Sequence, residues 1–447
     1  MELKQLSVKN FKCFNASEID FSKLNIFTGS NSSGKSSMLD AILSVAQSAN
    51  HFPFRLSPNG KYVIMGDYYE FARNHSLTKP IEISLKLVEG KTIVEYHTTW
   101  ANDESIKMPI IKALEAKTNG LLLSVFKDKN YHVHIELDEE KYKRGESYKG
   151  AQIISEFMNK ITDGKYYSDI TKEFENINVK TSTNTIDFNI NDLKDIGGVL
   201  IKSNRQFVDF ALTPIERSMQ NFDSNFNYIS SFRLRPERTY TQSSQSDLVK
   251  ASGENAIAQI FQWKAMKSPK FKELMKELRN LQLMNTLTIN KLRGGRYEVR
   301  VRTKLHGAWA SLVDVGFGIS QYLPIIVADL QLRKGSTLMI DQPEIHLHPS
   351  VQAQLADYFI RQVKSNNKRY FIETHSEYIL NRLRASIVKG IISPSSVRVY
   401  YFDNQSGEPE IHQVHFTKSG KILNAPKGFF ETYMIDVMDI ALSTVDR

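Results

Sequence analysis

The segment GSNSSGKSS, residues 29–37, constrains this chain more than any other feature. It fits the pattern GxxxxGK[ST], follows the apolar run Leu24–Thr28 and precedes an apolar helical pattern over Met38–Ala49. A strand, a glycine-bearing turn and a helix in this order predict a loop whose backbone amides cradle phosphate groups at the helix N-terminus. The segment therefore predicts an α/β fold with a phosphate site at the end of a strand.

The chemistry of this loop predicts a nucleoside triphosphate, ATP, bound with Mg²⁺. The glycines let the backbone curl around the phosphates, Lys35 reaches the β and γ oxygens, and Ser36 places its hydroxyl on Mg²⁺. The hydroxyl of Ser37 is expected to contact the α-phosphate. The predicted nucleotide-binding residues of the loop are Gly29, Asn31, Ser33, Gly34, Lys35, Ser36 and Ser37.

A second motif, STLMIDQPEIHLHPS, predicts the other side of the Mg²⁺ site. Its apolar strand, Thr337–Ile340, delivers Asp341, a carboxylate able to hold the Mg²⁺ shell. Gln342 follows, and a glutamine orients water but cannot accept a proton, so Glu344 is the candidate general base. The sequence leaves open which of the two assists the attacking water. A Glu/His metal site in EIHLH is an alternative that its position directly after Asp341 disfavours.

Two further motifs complete the predicted site. In ETHSEYIL a strand over Tyr370–Glu373 leads to His375, which can sense the γ-phosphate through a hydrogen bond. In DVGFGISQYLPII a glycine-bearing turn opens a helix, where Gly316, Gly318, Ser320 and Gln321 could present backbone amides and a hydroxyl to a phosphate. That turn is too far along the chain to share the nucleotide of residues 29–37. It therefore predicts a homodimer or higher oligomer in which two copies meet head to tail around ATP.

Composition limits the other classes of protein. The 58 Lys and Arg against 49 Asp and Glu give a net charge of +9 and a pI near 9.2, which is compatible with a nucleic-acid partner without requiring one. A single cysteine, Cys13, excludes an internal disulfide framework and a Cys-based zinc cluster. The N-terminal segment lacks a signal-like apolar region, and no run of about 18 apolar residues occurs. We expect a cytoplasmic protein with no membrane partner.

The order of these motifs resembles a known family. NFKCF, GSNSSGKSS, GFGISQ, LMIDQPEIHLHP and ETHS follow one another as in the ABC-like AAA ATPases, which include the OLD family, the Septu-type defence ATPases and the SMC and DNA-repair ATPases. The chain most resembles uncharacterised bacterial AAA proteins with an EQPEIHLHP-type Walker B motif and a C-terminal GFF box. The resemblance implies that Ser320 belongs to a signature motif reaching across the dimer and that His375 is a switch histidine. The glutamine after Asp341 departs from the family's usual glutamate, which makes slow hydrolysis one expectation.

The resemblance also implies an architecture. We expect an α/β fold, an ABC-type P-loop ATPase head with a mixed central sheet, flanking helices and an antiparallel β subdomain. The expected parts are an N-terminal portion of the ATPase domain (1–102), an inserted, mainly helical lobe (103–220), the rest of the ATPase domain (221–395) and a C-terminal β/α cap (396–447). The cap is predicted to contain strands over 396–402 and 410–416 and a closing helix after Pro426.

Two functions fit these predictions. In the first, the ATPase is the sensor or regulator of a bacterial anti-phage defence system with a separately encoded effector, such as a nuclease or toxin. In the second, it is a repair or recombination ATPase that clamps DNA with the basic strand Arg296–Lys304. OLD-family nucleases carry a TOPRIM domain with a DxD pair, and the acidic residues after His375 form no DxD, so no nuclease is expected in cis.

Overall fold

The computed structural model describes residues 1–137, 179–181, 185–193, 196, 206–241, 248–404, 407–426 and 429. The chain divides into two compact units. The first unit contains residues 1–20 and 37–224, and the second contains residues 21–36 and 225–447. In the described part of the chain, no helix combines the length and apolarity that crossing a bilayer requires.

The described strands and helices are as follows. The strands are β1 (Glu2–Phe11), β2 (Phe14–Asp20), β3 (Leu24–Gly29), β4 (Ile81–Glu89), β5 (Thr92–Asn102), β6 (Pro109–Thr118), β7 (Leu121–Lys127), β8 (Tyr131–Leu137), β9 (Val179–Thr181), β10 (Thr185–Ile190), β11 (Phe226–Ile229), β12 (Tyr240–Thr241), β13 (Thr286–Lys291), β14 (Arg296–Arg302), β15 (Ala310–Ser311), β16 (Thr337–Asp341), β17 (Arg369–Glu373), β18 (Val397–Asp403), β19 (Glu410–Phe416) and β20 (Ile422–Leu423). The helices are α1 (Lys35–Gln47), α2 (Tyr68–Phe71), α3 (Gln206–Ser224), α4 (Ala256–Ala265), α5 (Pro269–Asn280), α6 (Phe317–Gln331), α7 (Pro349–Asn366) and α8 (Glu377–Val388), with short 3₁₀ turns at Arg73–His75 and Pro394–Ser396.

The first unit is built on an antiparallel sheet of order β2-β1-β4-β5-β6-β7-β8-β10-β9. In β4 every second side chain is buried, as expected of an antiparallel sheet with one face on a core. Helix α3 is fixed to this sheet by Tyr96 of β5, whose buried hydroxyl donates to the carbonyl of Ile215 at 2.6 Å. This sheet is the predicted antiparallel β subdomain.

The prediction of a mainly helical lobe over 103–220 is wrong for the described residues of that segment. Strands β6, β7 and β8 continue the sheet that begins at the N-terminus, and α3 is the helix described there. In β6, Ile111 and Leu114 are three positions apart and both buried, a spacing that suits a helix, because a register shift opposite Thr99/Trp100 interrupts the alternation. Residues 138–178, to which the helical prediction also applied, lie outside the described residues.

The second unit contains the mixed central sheet, of order β11-β16-β17-β3-β18-β19-β20. The strands from β11 to β18 run parallel, and β19 and β20 add antiparallel edges. Strand β17 is buried at all five positions, and β3 and β16 are buried except at their last residue, as expected for parallel strands covered on both faces. Because parallel strands end at one edge, this order brings Gly29, Asp341 and Glu373 to the same edge.

Most local predictions in the second unit are confirmed. The predicted strands over 24–28, 337–340, 370–373, 396–402 and 410–416 are present to within a residue or two. Strands β13 and β14 form a hairpin with its turn at Gly294 and Gly295, and in β14 Tyr297 is buried while Arg296 is exposed. The closing helix predicted after Pro426 falls largely on residues outside the described part.

A buried ion pair joins helix α6 to the central sheet. The Asp329 carboxylate accepts hydrogen bonds from the hydroxyls of Tyr358 at 2.6 Å and Tyr370 at 3.0 Å, and the Lys368 ammonium lies 3.2 Å from it. The side chain of Asp329 is fully buried, and that of Lys368 is 4% exposed. Such a pair is sensitive to the loss of one partner, since the other charge is then left buried and unpaired.

We expect Lys368→Met to lower the free energy of unfolding by about 3–5 kcal/mol, because the Asp329 carboxylate loses its buried cation. Denaturant unfolding of the purified protein measures the change. The double variant Asp329→Leu/Lys368→Met should recover part of the loss, because neither charge then remains. Lys364→Met, at an exposed position of α7, is the control and should change little. Equal stability of the Lys368 and Lys364 variants would contradict a structural role for the pair.

Candidate functional site

The loop between β3 and α1 has the backbone of a phosphate-binding turn. Gly29 has a φ of +129° and Gly34 a φ of +97°, in the region that side chains disfavour. A Cβ on Gly29 would lie 2.0 Å from the carbonyl oxygen of Phe402 in β18, so glycine is required there on steric grounds as well. The Ser33 hydroxyl donates to the carbonyl of Ser30 at 2.8 Å and braces the turn. Both glycines therefore have conformations compatible with a loop that curls around phosphates.

Lys35 is the first residue of α1 and is held inside this turn. Its ammonium donates to the carbonyls of Gly29 at 3.2 Å and Ser30 at 2.6 Å, and the residue is 4% exposed. Burial lowers the pKa of Lys35, and the nearby Glu373 carboxylate opposes that shift. The lysine thus stands at the centre of the loop, where a phosphate could replace carbonyl oxygens as its partner. Among the other predicted loop residues, Asn31 is exposed and Ser37 is half-buried on α1.

Oxygen ligands meet beside the loop at the ends of β16 and β17. The Ser36 hydroxyl donates to Oε2 of Glu373 at 3.2 Å, and Glu373 is paired in register with Asp341 on the neighbouring strand. The hydroxyl of Tyr228, from β11, donates to the Asp341 carboxylate. One hydroxyl and two carboxylates are hard oxygen donors of the kind that Mg²⁺ prefers. Ser36 and Asp341 therefore fit the predicted metal, and Glu373, which the sequence prediction omitted, lies beside them.

Arg233 holds the turn that follows β16. Its Nη2 donates to the carbonyls of Asp341 at 2.7 Å and Gln342 at 3.0 Å, and its Nε donates to the carbonyl of Ser230 at 3.0 Å. The guanidinium is buried, and desolvation lowers its pKa to about 10, opposed by the charges of Glu344 and Asp341. Arg233 is a positioning residue, because it fixes the backbone that carries the predicted catalytic groups.

The three predicted catalytic residues lie on adjoining segments. Gln342 has a φ of +42°, and its N–H donates to the Glu373 carbonyl at 2.8 Å, so its backbone is fixed on both sides. Glu344 Oε1 accepts a hydrogen bond from the backbone N–H of His375 at 2.7 Å. Burial raises the pKa of Glu344, and its hydrogen bond with His375 opposes the rise. His375 is itself exposed, and desolvation together with the charge of Lys35 lowers its pKa.

The EIHLH segment does not gather its side chains around a common centre. Glu344 turns to the backbone of His375, while Nδ1 of His348 accepts the N–H of Ser350 at 3.3 Å as the N-cap of α7. Within the described ranges, no group of three or more His, Cys, Asp or Glu side chains is arranged to hold a metal ion.

The signature segment differs from its prediction in orientation. Ser320 and Gln321 are only 6% and 4% exposed, and the Gln321 amide donates to the Arg233 carbonyl at 3.5 Å, so both side chains face the interior of their own unit. A Cβ on Gly318 would lie 3.0 Å from the His346 carbonyl oxygen. The reason is that α6 is buried along most of its length and uses these small and polar side chains in packing. The Ser320 hydroxyl is therefore buried where the prediction needs it to face an anion, while Gly316, the N-cap of the same predicted segment, is exposed.

Comparisons with known proteins agree with the loop chemistry. A family model described as an AAA ATPase domain (AAA_15) matches residues 1–380, and a second, a protein family of unknown function (DUF3696), matches residues 392–440. A search of curated proteins found no match. Similar solved structures include the Smc head domain of Pyrococcus furiosus with an extended coiled coil, bound to the C-terminal domain of ScpA (11% identity, TM-score 0.38, covering 98% of this chain and 99% of that one). The SMC head domain from Thermotoga maritima is similar at 11% identity and a TM-score of 0.39, covering 93% of this chain and all of that one.

Proposed function

Because the chain belongs to the AAA ATPase family, we propose that it binds ATP with Mg²⁺ and hydrolyses it at an ABC-type site shared by two copies of the chain. The observation that carries this proposal is the convergence of Lys35, Ser36 and Asp341 at one edge of the central sheet. A buried ammonium, a hydroxyl and a strand-end carboxylate are what a triphosphate and its metal require. The energy of hydrolysis would then drive a switch between two states of the assembly.

Each residue has a defined task in this proposal. Lys35 leaves the carbonyls of Gly29 and Ser30 to bind the β and γ oxygens, while Ser36 and Asp341 hold Mg²⁺. When bound, Mg²⁺ neutralises charge that develops on the phosphate oxygens. Glu344 accepts the proton of the attacking water, or Gln342 orients that water without accepting it. His375 is positioned as the switch histidine, close enough to Lys35 for the two charges to interact.

The second copy completes the site through the start of α6. Free amides at a helix N-terminus favour an anion, and the exposed Gly316 caps this helix. In a head-to-tail dimer, the γ-phosphate of one copy would face residues 316–318 of the other. Because Ser320 is buried, the proposed contact uses the backbone amides of this turn, which the sequence also predicted, and not the Ser320 hydroxyl.

We expect Gly316→Arg to leave ATP binding by the monomer intact and to reduce hydrolysis by about 100-fold or more, the scale of losing one preorganised donor. The substitution is well suited to this test, because φ at Gly316 is ordinary and an added Cβ meets no atom within 4 Å. Ser320→Arg would be a poor test, since it places a charge in the interior. Titration calorimetry measures binding, and phosphate release measures turnover.

Mixing variants distinguishes a shared site from a site within one copy. An equal mixture of Gly316→Arg and Lys35→Ala should regain about a quarter of the wild-type rate, because half the dimers are mixed and each has one complete site of two. Each variant alone should be inactive. No recovery in the mixture, with dimers shown to form, would contradict the head-to-tail arrangement.

For the biological role, we propose that this ATPase is the sensor or regulator of a bacterial anti-phage defence system, acting on a separately encoded effector such as a nuclease or toxin. The support is the resemblance of its motif order to the Septu-type and OLD-type ATPases. Co-expression with the protein encoded by a neighbouring open reading frame tests it. ATP-dependent co-purification of such a protein is the expected result, and neighbours with no effector-like chemistry would count against the role.

A DNA clamp is the second candidate, and strand β14 favours it. Arg296, Arg300 and Arg302 occupy one face of this strand, and Arg302 lies 4.6 Å from the centre of the Trp309 ring. Guanidinium groups beside an aromatic ring suit contact with a nucleic-acid backbone. If DNA is clamped here, Arg296→Glu should weaken duplex binding and lower the salt slope by about one phosphate contact. DNA binding that does not respond to this change would remove the support from β14.

A further inference from the structure

Glu373 is a buried carboxylate at the centre of the nucleotide site. It closes β17, is 6% exposed and lies in register with Asp341 on the adjacent parallel strand. Its Oε2 accepts the hydrogen bond of the Ser36 hydroxyl at 3.2 Å. Its backbone carbonyl accepts the N–H of Gln342 at 2.8 Å. The residue is therefore joined to the phosphate loop by its side chain and to the catalytic turn by its backbone.

Lys35 offsets part of the charge of this residue, since the Glu373 carboxylate raises the Lys35 pKa. A hydroxyl donor such as Ser36 is satisfied equally well by a neutral acceptor, for which no desolvation of a charge is needed. A second carboxylate beside Asp341 also adds like-charge repulsion at the strand ends. A triphosphate arriving at Lys35 would bring more negative charge to the same place. A divalent cation among these oxygens would offset all three effects.

We propose that Glu373 is a second carboxylate of the Mg²⁺ site, acting with Ser36 and Asp341 to hold the metal of the bound nucleotide. The inference rests on the proposed ATP site and adds a residue to it. Hard oxygen donors from adjacent strand ends suit Mg²⁺, which commonly takes one or two carboxylates together with phosphate oxygens and waters. Ser36 links Glu373 to the predicted metal site, because its hydroxyl, a predicted Mg²⁺ ligand, also contacts the Glu373 carboxylate.

The Glu373 carboxylate should weaken ATP binding in the absence of metal and strengthen it in the presence of metal. In the absence of Mg²⁺ the Glu373 carboxylate repels the triphosphate, and in its presence the same charge attracts the metal that the triphosphate carries. Glu373→Gln preserves the shape of the side chain and an oxygen able to accept from Ser36. The variant should bind ATP with equal or higher affinity in EDTA. It should need roughly 10-fold or more Mg²⁺ to reach half of the metal-dependent gain in ATP affinity. Substitutions of residues around a metal site typically weaken metal binding by this factor.

The experiment measures binding rather than turnover. A non-hydrolysable ATP analogue is titrated into the full chain by calorimetry, in EDTA and over a series of Mg²⁺ concentrations. Mn²⁺ is then substituted, and its paramagnetic resonance spectrum reports directly whether the ligand set changes between wild type and Glu373→Gln. The matched control is Glu277→Gln, the same chemical change at an equally buried carboxylate that pairs with Arg361, which should leave the Mg²⁺ dependence unaltered.

The outcomes separate this inference from the proposed function. A Glu373→Gln variant with wild-type Mg²⁺ dependence and an unchanged Mn²⁺ spectrum would overturn the metal role of Glu373. If the wild type still binds ATP in that case, the proposed ATPase function is unaffected. Loss of analogue binding in EDTA as well as in Mg²⁺ would also overturn the metal role, because the residue would then only support the loop. A wild-type chain that binds no nucleotide at all would refute the proposed function itself.

Discussion

Replacing Lys35 with alanine is expected to weaken ATP binding by about 100-fold or more, because hydrogen bonds to charged groups contribute about 1.5–3 kcal/mol each. The lysine is 4% exposed, and the Gly29 and Ser30 carbonyls hold its ammonium within the phosphate loop. Burial lowers its pKa, yet Glu373 supports the charged form. A triphosphate strengthens that support, so the charge is expected to be fully present when ATP binds. Titration calorimetry with ATP and Mg²⁺ measures the affinity.

Two controls separate the loss of the ammonium from damage to the loop. Lys334→Ala removes an exposed lysine at the end of the segment after α6 and should bind ATP as the wild type does. Lys35→Met retains the apolar stem without the charge and should behave as Lys35→Ala, with an unchanged circular dichroism spectrum. Nucleotide affinity within a few-fold of wild type in both Lys35 variants would contradict the assignment of the phosphate loop.

The parts of the site that could be predicted are those defined by local patterns. Gly29 and Asp341 lie at strand ends and Lys35 begins α1, and an apolar run followed by a glycine turn or a carboxylate indicates these positions directly. Parallel pairing then brings the strand ends together without further information. The convergence of the motifs therefore followed from the sequence, although the distances between their atoms did not.

The site residues that the sequence did not predict form hydrogen bonds with partners distant in the sequence. Arg233 reaches carbonyls 108 and 109 positions away, and Tyr228 reaches a carboxylate 113 positions away. The sequence does not show whether an arginine is buried or exposed, so the segment SFRLRPER did not indicate that Arg233, rather than Arg235, has the buried positioning role. Glu373 did have a signal, since it is an acidic residue closing the otherwise apolar end of a strand beside Asp341.

The predictions of a helix over 109–118 and of an exposed Ser320 failed for the same physical reason. Over 109–118 the spacing of apolar residues fits a helix as well as a strand interrupted by a register shift, and only the neighbouring strands decide. At Ser320 a polar residue in a glycine-rich turn suggested exposure, whereas the surrounding helix is buried on most sides. Tertiary packing determined both outcomes, and a short window of sequence does not contain it.

Glu344→Gln is expected to slow ATP hydrolysis by about 10²–10⁴-fold, the usual contribution of a general base, while ATP binding is retained. The Glu344 carboxylate is buried and oriented by the His375 amide, so it has the fixed geometry that proton transfer needs. The ATP-bound dimer should accumulate, as sedimentation with ATP would show. If Glu344→Gln keeps normal turnover while Gln342→Ala loses it, the water is oriented by Gln342 and no carboxylate accepts its proton.

The pH dependence of turnover gives an independent measure of the same role. Desolvation raises the pKa of Glu344, and a general base acts only when it is deprotonated, so kcat should rise with pH through a value above that of an ordinary glutamate. Desolvation and the charge of Lys35 lower the pKa of His375. The two are separated by substitution, because the acid limb should disappear in Glu344→Gln and persist in His375→Gln. An acid limb that follows His375 instead would transfer the role of proton acceptor to the imidazole.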